Sequence, residues 1–554
     1  MLILEPMKFV RALVNSLLGG LFFAFLLAVL VADLNINQTS GPEFLARLTL
    51  SLFPIYGLIL AVVCLVGFAF WRFLIGRGVR IALISPSFIA LSFPLLIFLF
   101  LIIFRMNERY FSSFFSPEAK TRMANQTAVL LLLALLGVFS FLGYRRLRKP
   151  LFFWAYFLLF SFGLTVVVTQ RARFPMPGER SGTTPLLGKK IENRLTLIGL
   201  DGLSFDFLIP LISAGKLPNF SWLLDNGNSG RLSSFSPTEP LSLQASFSSG
   251  KLPYKHRLLS GSLYRLWNMK QELECAPRFL LFTQLTRLGY LEITPVHPQA
   301  RTKDLWRILE GNRISYLDRS WPLTVAKGAP SAKAEKLAAE LLGESTLPGE
   351  SLATVARSAF LRDSAAEEAA STERNELQPQ VFHLRLDGLN SVQAYFYRYT
   401  FPEQFGNIAL EEIERYGRVI ERYYEYYDGL IGKYLTALKE DEIMVVYSSF
   451  GVEPLPLWKR FVERLLGDPD VSAYHELAPE GVVLLYGKGV RRARHEEPVR
   501  IVDITPTLLY FLGLPVGRDM DGIVRSSLFN EDFIAENPII YISSYEEFQI
   551  KPPS

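Results

Sequence analysis

Five apolar runs in the first 170 residues constrain this chain more than any other feature. They extend from Ala12 to Ala32, Leu48 to Phe70, Ala82 to Phe104, Thr127 to Gly143 and Leu151 to Thr169. Each is close to the length of about 20 residues that a helix needs to cross a bilayer. Pro54, Pro86 and Pro94 fall inside them, which membrane helices tolerate when neighbours re-satisfy the freed carbonyls. The first run is too long for the apolar part of a signal peptide and has no small-residue cleavage site. With four more runs behind it, it reads as a retained helix. No Asp, Glu, Lys or Arg lies deep in a run, so an ion pathway has no residues to use and a transporter-like role is disfavoured. A five-helix anchor is the plain reading, and a lipid-substrate groove between the helices is the alternative.

Loop charges set a direction. The cluster Arg72, Arg77 and Arg80 and the turn Arg145-Arg146-Leu147-Arg148-Lys149 favour the cytoplasm for the second and fourth loops. The opposing loop carries Arg105, Arg109, Lys120 and Arg122, but it is longer and diluted by Glu108 and Glu118. With the N-terminus inside, an odd number of crossings places everything after Thr169 outside the cytoplasm. The expected location is thus the inner or plasma membrane, with membrane lipid and other envelope or membrane proteins as partners. The chain is 50% hydrophobic and only 20% charged, against about a quarter charged for soluble proteins. Its net charge of +5 comes without a Lys/Arg array interleaved with aromatics, which argues against nucleic acid. Two distant cysteines, Cys64 and Cys275, exclude a disulfide framework and a Cys-based zinc site.

Beyond Thr169 the pattern changes. Residues 171–194 are rich in Pro, Gly, Arg and Ser and read as a linker. The run Leu195 to Leu200 ends in Asp201-Gly202, as a buried parallel strand does when it delivers a carboxylate at its tip. A helix-like stretch follows to Leu224, then a short strand around Gly230-Arg231-Leu232. Further strands are expected at Val381 to Leu386, Ile443 to Tyr447 and Gly481 to Gly487, with a long amphipathic stretch from Glu411 to Leu438. The alternation predicts an α/β core with a largely parallel sheet flanked by helices. The Ala- and Glu-rich segment 331–376 reads as a helical insertion. The expected organisation is a transmembrane domain over 1–170, the linker, a soluble domain over 195–530 and a C-terminal tail over 531–554.

Several phrases resemble a known family. Leu197-Ile198-Gly199-Leu200-Asp201-Gly202, Gly215-Lys216-Leu217-Pro218-Asn219, Ser249-Gly250-Lys251 and Lys255-His256 are similar to the start of type I phosphodiesterase/nucleotide pyrophosphatase domains of the alkaline phosphatase superfamily. Ile501-Val502-Asp503-Ile504-Thr505-Pro506-Thr507-Leu508-Leu509, Gly513-Leu514-Pro515 and Asp519-Met520-Asp521-Gly522 resemble the family's C-terminal signature. The resemblance implies an alkaline-phosphatase-like core over most of 195–525. Five membrane helices ahead of such a domain also resemble the layout of lipid-headgroup phosphotransferases, a likeness of architecture only.

Active members of the family hold two metal ions, usually zinc, which activate a Ser or Thr and stabilise displacement at phosphorus. Each ion needs about three Asp or His ligands. Asp201 matches the first. Pro240-Leu241-Ser242 resembles the nucleophile element, although the stretch to Gly250 is slightly shorter than in the family. Ser242 is the candidate nucleophile and Thr238 a second; Ser242 reads equally as a helix-capping serine. The family then has an Asp followed four residues later by a His. The corresponding phrase here runs from Asn390 to Tyr399 and offers Asn390 and Ala394, a poor zinc ligand and no ligand. Where the family has Ser-Asp-His-Gly, this chain has Ser448-Ser449-Phe450-Gly451. His475 matches the late family histidine and reads equally as a loop residue.

Asp201 and His475, with Ser242, cannot hold two divalent ions. The expectation is therefore a membrane-anchored, extracytoplasmic phosphodiesterase-like domain that has lost its two-metal site. It would use no cofactor and act as a binding or assembly module in envelope lipid or glycan handling. The alternative is an active metal-dependent phosphodiesterase or phosphotransferase, with zinc in a rearranged site and Ser242 as nucleophile. His383, Arg385 and Asp387 alternate along one strand, so a shifted single-metal site of Asp201, Asp387 and His475 can be drawn, with Glu453 nearby. His256 reads as structural. His297 and His495 suggest nothing, and Arg491-Arg492-Ala493-Arg494 reads as a solvated turn or as a contact for anionic headgroups.

Overall fold

The computed structural model describes residues 6–38, 41–75, 82–147, 149–172, 193–295, 302–319, 335–336, 338–339, 351–406, 408–476, 478, 480–495 and 497–546. The chain forms two compact units, Met1–Gly178 with Ser262–Val296, and Glu179–Gly261 with His297–Ser554. Most of the linker expected over 171–194, most of 331–350, and His297 lie outside the described residues.

In the first unit the five apolar runs correspond to helices long and apolar enough to cross a membrane, Phe9–Leu34, Pro42–Phe70, Phe88–Tyr110, Pro117–Leu147 and Leu151–Thr169, although Ala82 to Ser85 at the start of the third run precede its helix. The fourth helix outruns its apolar core at both ends. Pro117 opens it, where a missing N–H is harmless, and Arg145 and Arg146 sit in its last turn against the exposed carbonyls. Pro54 lies in a π-helical turn, Phe53–Gly57, that interrupts the second span. Gly20 and Gly57 let the first two spans approach closely, since a Cβ on Gly20 would lie 2.1 Å from the Gly57 carbonyl oxygen. Stacked rings of Phe22 and Phe93, with Phe160 tilted against both, tie the first, third and fifth spans. The excursion Ser262–Val296 belongs to this unit although it interrupts the sequence of the other. It carries a hairpin, Ser262–Leu266 against Leu291–Pro295, in which buried Leu266 and Leu291 pair directly.

The second unit is built on a mixed sheet with helices packed against it. Its strands include β1 (Arg194–Leu200), β2 (Asn228–Ser233), β3 (Tyr316–Arg319), β4 (Val381–Leu386), β5 (Glu442–Phe450) and β6 (Glu480–Gly487). Their order is β2-β6-β5-β1-β4-β3, with the short strands Ala493–Arg494 and Val499–Arg500 also against β2. β5, β1, β4 and β3 run parallel, and β6 is antiparallel to both neighbours. The central strands are apolar on both faces, as a sheet covered on both sides requires. Ile198, Leu200, Leu384, Leu386 and Val446 enter one core, and Leu195, Leu197, Val381, Ile443 and Val445 the other.

Several expected elements are interrupted. The stretch to Leu224 is two helices, Phe205–Ser213 and Pro218–Asn226, separated at Gly215 with its φ of +72°. The stretch from Glu411 to Leu438 is Leu410–Tyr416 and Val419–Thr436, broken around Gly417. The described end of the insertion is the helix Ser351–Leu377. Residues expected as a tail pack into the fold: Tyr541–Ile542 pairs with Val516–Gly517, and Glu546 binds the buried Lys251 at 2.6 Å.

Candidate functional site

The C-terminal tips of the parallel strands gather the positions that the sequence singled out. Asp201 follows β1, Asp387 follows β4, and Ser449 and Phe450 end β5. The helix Gly388–Thr400 carries Asn390 and Ala394. Gly202, with φ +88°, lets Asn390 and Gln393 close over the Asp201 tip, because a Cβ there would lie 2.4 Å from Gln393 Oε1 and 3.1 Å from Asn390 Cα. The Ala394 carbonyl accepts the Ser472 N–H at 2.7 Å, which brings the segment leading to His475 alongside. Thr238 donates its hydroxyl to the His475 carbonyl at 2.5 Å.

What fills this cleft is decided by register. Arg385 and Tyr447 both lie opposite Gly199, so period-two alternation puts Asp201, His383, Arg385 and Tyr447 on one face. Arg385 binds Asp201 with two contacts, Nη2 to Oδ2 at 2.5 Å and Nε to Oδ1 at 3.3 Å, and both side chains are buried. Burial pushes the Asp201 carboxyl up, and the guanidinium opposes that push. Beside the pair runs a buried chain of polar groups. His383 Nδ1 donates to Asp318 at 2.9 Å, His383 Nε2 meets the Tyr447 hydroxyl at 2.9 Å, and Tyr447 reaches Gln244 at 3.3 Å. Phe247 and Trp306 stack on the His383 ring, and the Tyr447 ring lies flat across Gly199, where a Cβ would come within 2.8 Å of it.

At the tip of β5 the Phe450 ring is fully buried and stacks on His475 with centroids 4.8 Å apart. Burial pushes the His475 imidazole below its ordinary range; Lys459 adds to this and Glu476 opposes it. Ser449 is buried and neutral. Asp387 pairs with Arg362 at 2.9 Å. The shifted single-metal site drawn from Asp201, Asp387 and His475 is therefore not assembled: an arginine takes each carboxylate and a phenyl ring covers the imidazole. Among the described residues no three His, Cys, Asp or Glu side chains converge to hold a metal ion. The donor set does not fit a two-metal centre. An ion at Asp201 would have to displace a guanidinium and leave it buried without its carboxylate.

Ser242 lies in the first turn of the helix Pro240–Ser249, fully buried, and its Oγ has no hydrogen-bond partner. It does not cap this helix, whose N-cap position is Glu239. His256 is structural. The Leu258 N–H donates to its Nδ1 at 3.1 Å, so Nε2 carries the proton toward Ser246 Oγ, 2.9 Å away. Burial pushes its pKa down to about 3, with Lys251 adding to the shift.

The motifs that carried the family resemblance interlock. Gly250 accepts the N–H groups of Asp521 and Gly522 at 2.9 and 3.1 Å. Lys251 binds Asp519 and Lys255 binds Asp521, at 2.7 and 2.6 Å. Asp503 takes Arg500, Arg525 and the Ile523 N–H. These phrases thus hold distant parts of the chain together. Arg494 of the basic run sits at the surface, 3.5 Å from Asp225.

No protein-family model and no curated protein matches the chain. Among solved structures, a crystal structure of wild-type alkaline phosphatase PafA is similar over 62% of this chain and 100% of that chain, with 10% identity and a TM-score of 0.39. At that level the likeness assigns no ligand and no reaction to this chain.

Proposed function

We propose that this chain is a membrane-anchored, extracytoplasmic domain of phosphodiesterase-like ancestry that has lost its two-metal chemistry. It serves as a non-catalytic binding or assembly module in envelope lipid or glycan handling. Its partners are membrane lipid and other membrane or envelope proteins; no cofactor is part of this reading. One observation carries it: Arg385 occupies Asp201, the one carboxylate that survives from the family's ligand set. A fixed guanidinium supplies the cationic partner that a buried carboxylate needs. It offers no open coordination position for substrate or water, which a catalytic ion must keep. Metal analysis of the purified full-length protein after exposure to zinc tests the reading. Metal well below one ion per chain is expected, and two stoichiometric zinc ions would end it.

The alternative, an active enzyme with Ser242 as nucleophile and zinc in a rearranged site, draws support from the unpartnered Ser242 hydroxyl in a first helical turn. It requires turnover of a generic phosphodiester that disappears in Ser242→Ala. Equal rates for parent and variant dispose of it.

A further inference from the structure

Side chains in or next to three spans grip the backbone of the excursion Ser262–Val296. Asn35, just past the first span, accepts the N–H groups of Glu274 and Cys275 at 2.7 and 2.9 Å and donates to the Cys275 carbonyl at 3.0 Å. Asn107, near the end of the third span, accepts the Arg278 N–H at 2.7 Å and donates to the Arg278 carbonyl at 3.2 Å. An asparagine amide carries both an acceptor and donors, so each pairs with backbone much as a neighbouring strand would. Tyr56, in the second span, donates to the Leu280 carbonyl at 2.7 Å.

The last contact sets a depth. Tyr56 lies within the candidate span Pro42–Phe70, where Leu50 before it and Leu58, Ile59, Val62 and Val63 after it are exposed apolar residues, the signature of a lipid-facing surface. The loop at Leu280 is therefore bonded to a part of the span that has lipid-facing side chains on both sides of it. On either side of Leu280, Phe279 and Leu281 have left-handed backbone, with φ of 69° and 50°, a conformation rare for bulky residues. They are 45% and 40% exposed, and Leu288 is 59% exposed. Arg278 lies over the Tyr110 ring, 4.1 Å from its centroid, an aromatic and cationic pairing suited to the lipid–water boundary. An odd number of crossings also puts the end of the fifth span on the same face as the ends of the first and third. The chain thus reaches this position without another crossing.

We propose that residues 275–288 form an interfacial anchor, with Phe279, Leu281 and Leu288 seated between headgroups and acyl chains on the face where the first and third spans end. The occupant of this apolar surface is the bilayer, because Leu280, between Phe279 and Leu281, is bonded to Tyr56 inside a span whose neighbouring side chains face lipid. The test uses the full chain carrying Cys64→Ala and Cys275→Ala, with a nitroxide on Leu281→Cys or Leu288→Cys. The protein is reconstituted in vesicles of phosphatidylcholine and phosphatidylglycerol. Collision rates with oxygen, which partitions into lipid, and with a water-soluble nickel chelate are compared by EPR. The expected oxygen-to-nickel ratio is several-fold above that of Leu410→Cys in the other unit and shifted toward that of Val66→Cys in a span. A ratio equal to that of Leu410→Cys overturns the proposal. So does protection from both agents with spin–spin broadening that vanishes on dilution with unlabelled protein, since a second copy would then be the occupant.

Discussion

At the scale of single residues, Arg385 and Asp201 satisfy each other at the strand tips, and neither can be removed alone without leaving a buried charge. Arg385→Ala is expected to destabilise the protein by about 3–5 kcal/mol, seen as a lower melting temperature of the detergent-solubilised protein. The double change Asp201→Asn with Arg385→Met should regain most of that loss; equal melting of the single and double variants would contradict the pairing. Phe450→Ala, which opens a cavity beside His475, should cost about 3–5 kcal/mol by the same measurement. Asp201 was legible because an apolar run ending in Asp-Gly announces a strand tip. The partner was not. Alternation put His383 and Arg385 on one face, but which residue Arg385 meets depends on the β1–β4 register, set by strands nearly two hundred residues apart in sequence. Asn390, Ala394, Ser449 and Phe450 were readable one by one as departures from the motifs the chain resembles; that Phe450 would land on His475 was not, since nothing local encodes that stacking.

At the scale of elements, the insertion helix Ser351–Leu377 is fastened by a buried carboxylate. Asp363 Oδ2 accepts the hydroxyls of Tyr423 and Tyr427, both at 2.8 Å, and the Gly388 N–H at 3.1 Å. Burial first, then the neighbouring Asp387, pushes the Asp363 carboxyl up to about 7 from an ordinary 3.8. The folded state holds this proton more tightly than the unfolded chain. Its stabilisation is therefore complete below about pH 4 and is lost as pH rises through about 7, a swing of up to about 4 kcal/mol. Asp363→Asn keeps an acceptor oxygen and removes the titration. Melting temperatures followed from pH 5 to 8 should fall more steeply for the parent than for this variant; parallel curves would refute the assignment. The helix itself was expected from its Ala and Glu content, whereas its anchor was not, because two tyrosines one turn apart on Val419–Thr436 look like ordinary core. Strands and spans were legible because their periods are local. The break at Gly215, with its φ of +72°, shows where a single backbone-permissive residue ended a helix that the pattern would have continued.

At the scale of the whole molecule, the five spans followed from hydropathy alone, but the compact unit they belong to did not. It includes residues 262–296, which the sequence reading left inside the soluble domain. The reason is physical: the joining contacts are made largely by single polar groups, among them the Asn35 and Asn107 amides and the Tyr56 hydroxyl, to backbone, and these carry no hydropathy signal. A fragment ending at Gly178 should keep its helices yet lose the five hydrogen bonds that Asn35 and Asn107 make to the excursion. At about 1 kcal/mol for each bond, thermal melting followed by helical circular dichroism should register a loss of several kcal/mol; unchanged melting would show that the excursion adds nothing to the bundle. The arrangement also has a consequence for biosynthesis. The spans leave the ribosome and enter the bilayer long before residue 296 has been made, so Asn35 and Asn107 must wait, provisionally hydrated, for a segment still being synthesised. Assembly of this unit finishes only once that later stretch has been made and has reached the spans, and a fault in its delivery would be indistinguishable, at first sight, from a fault in helix packing.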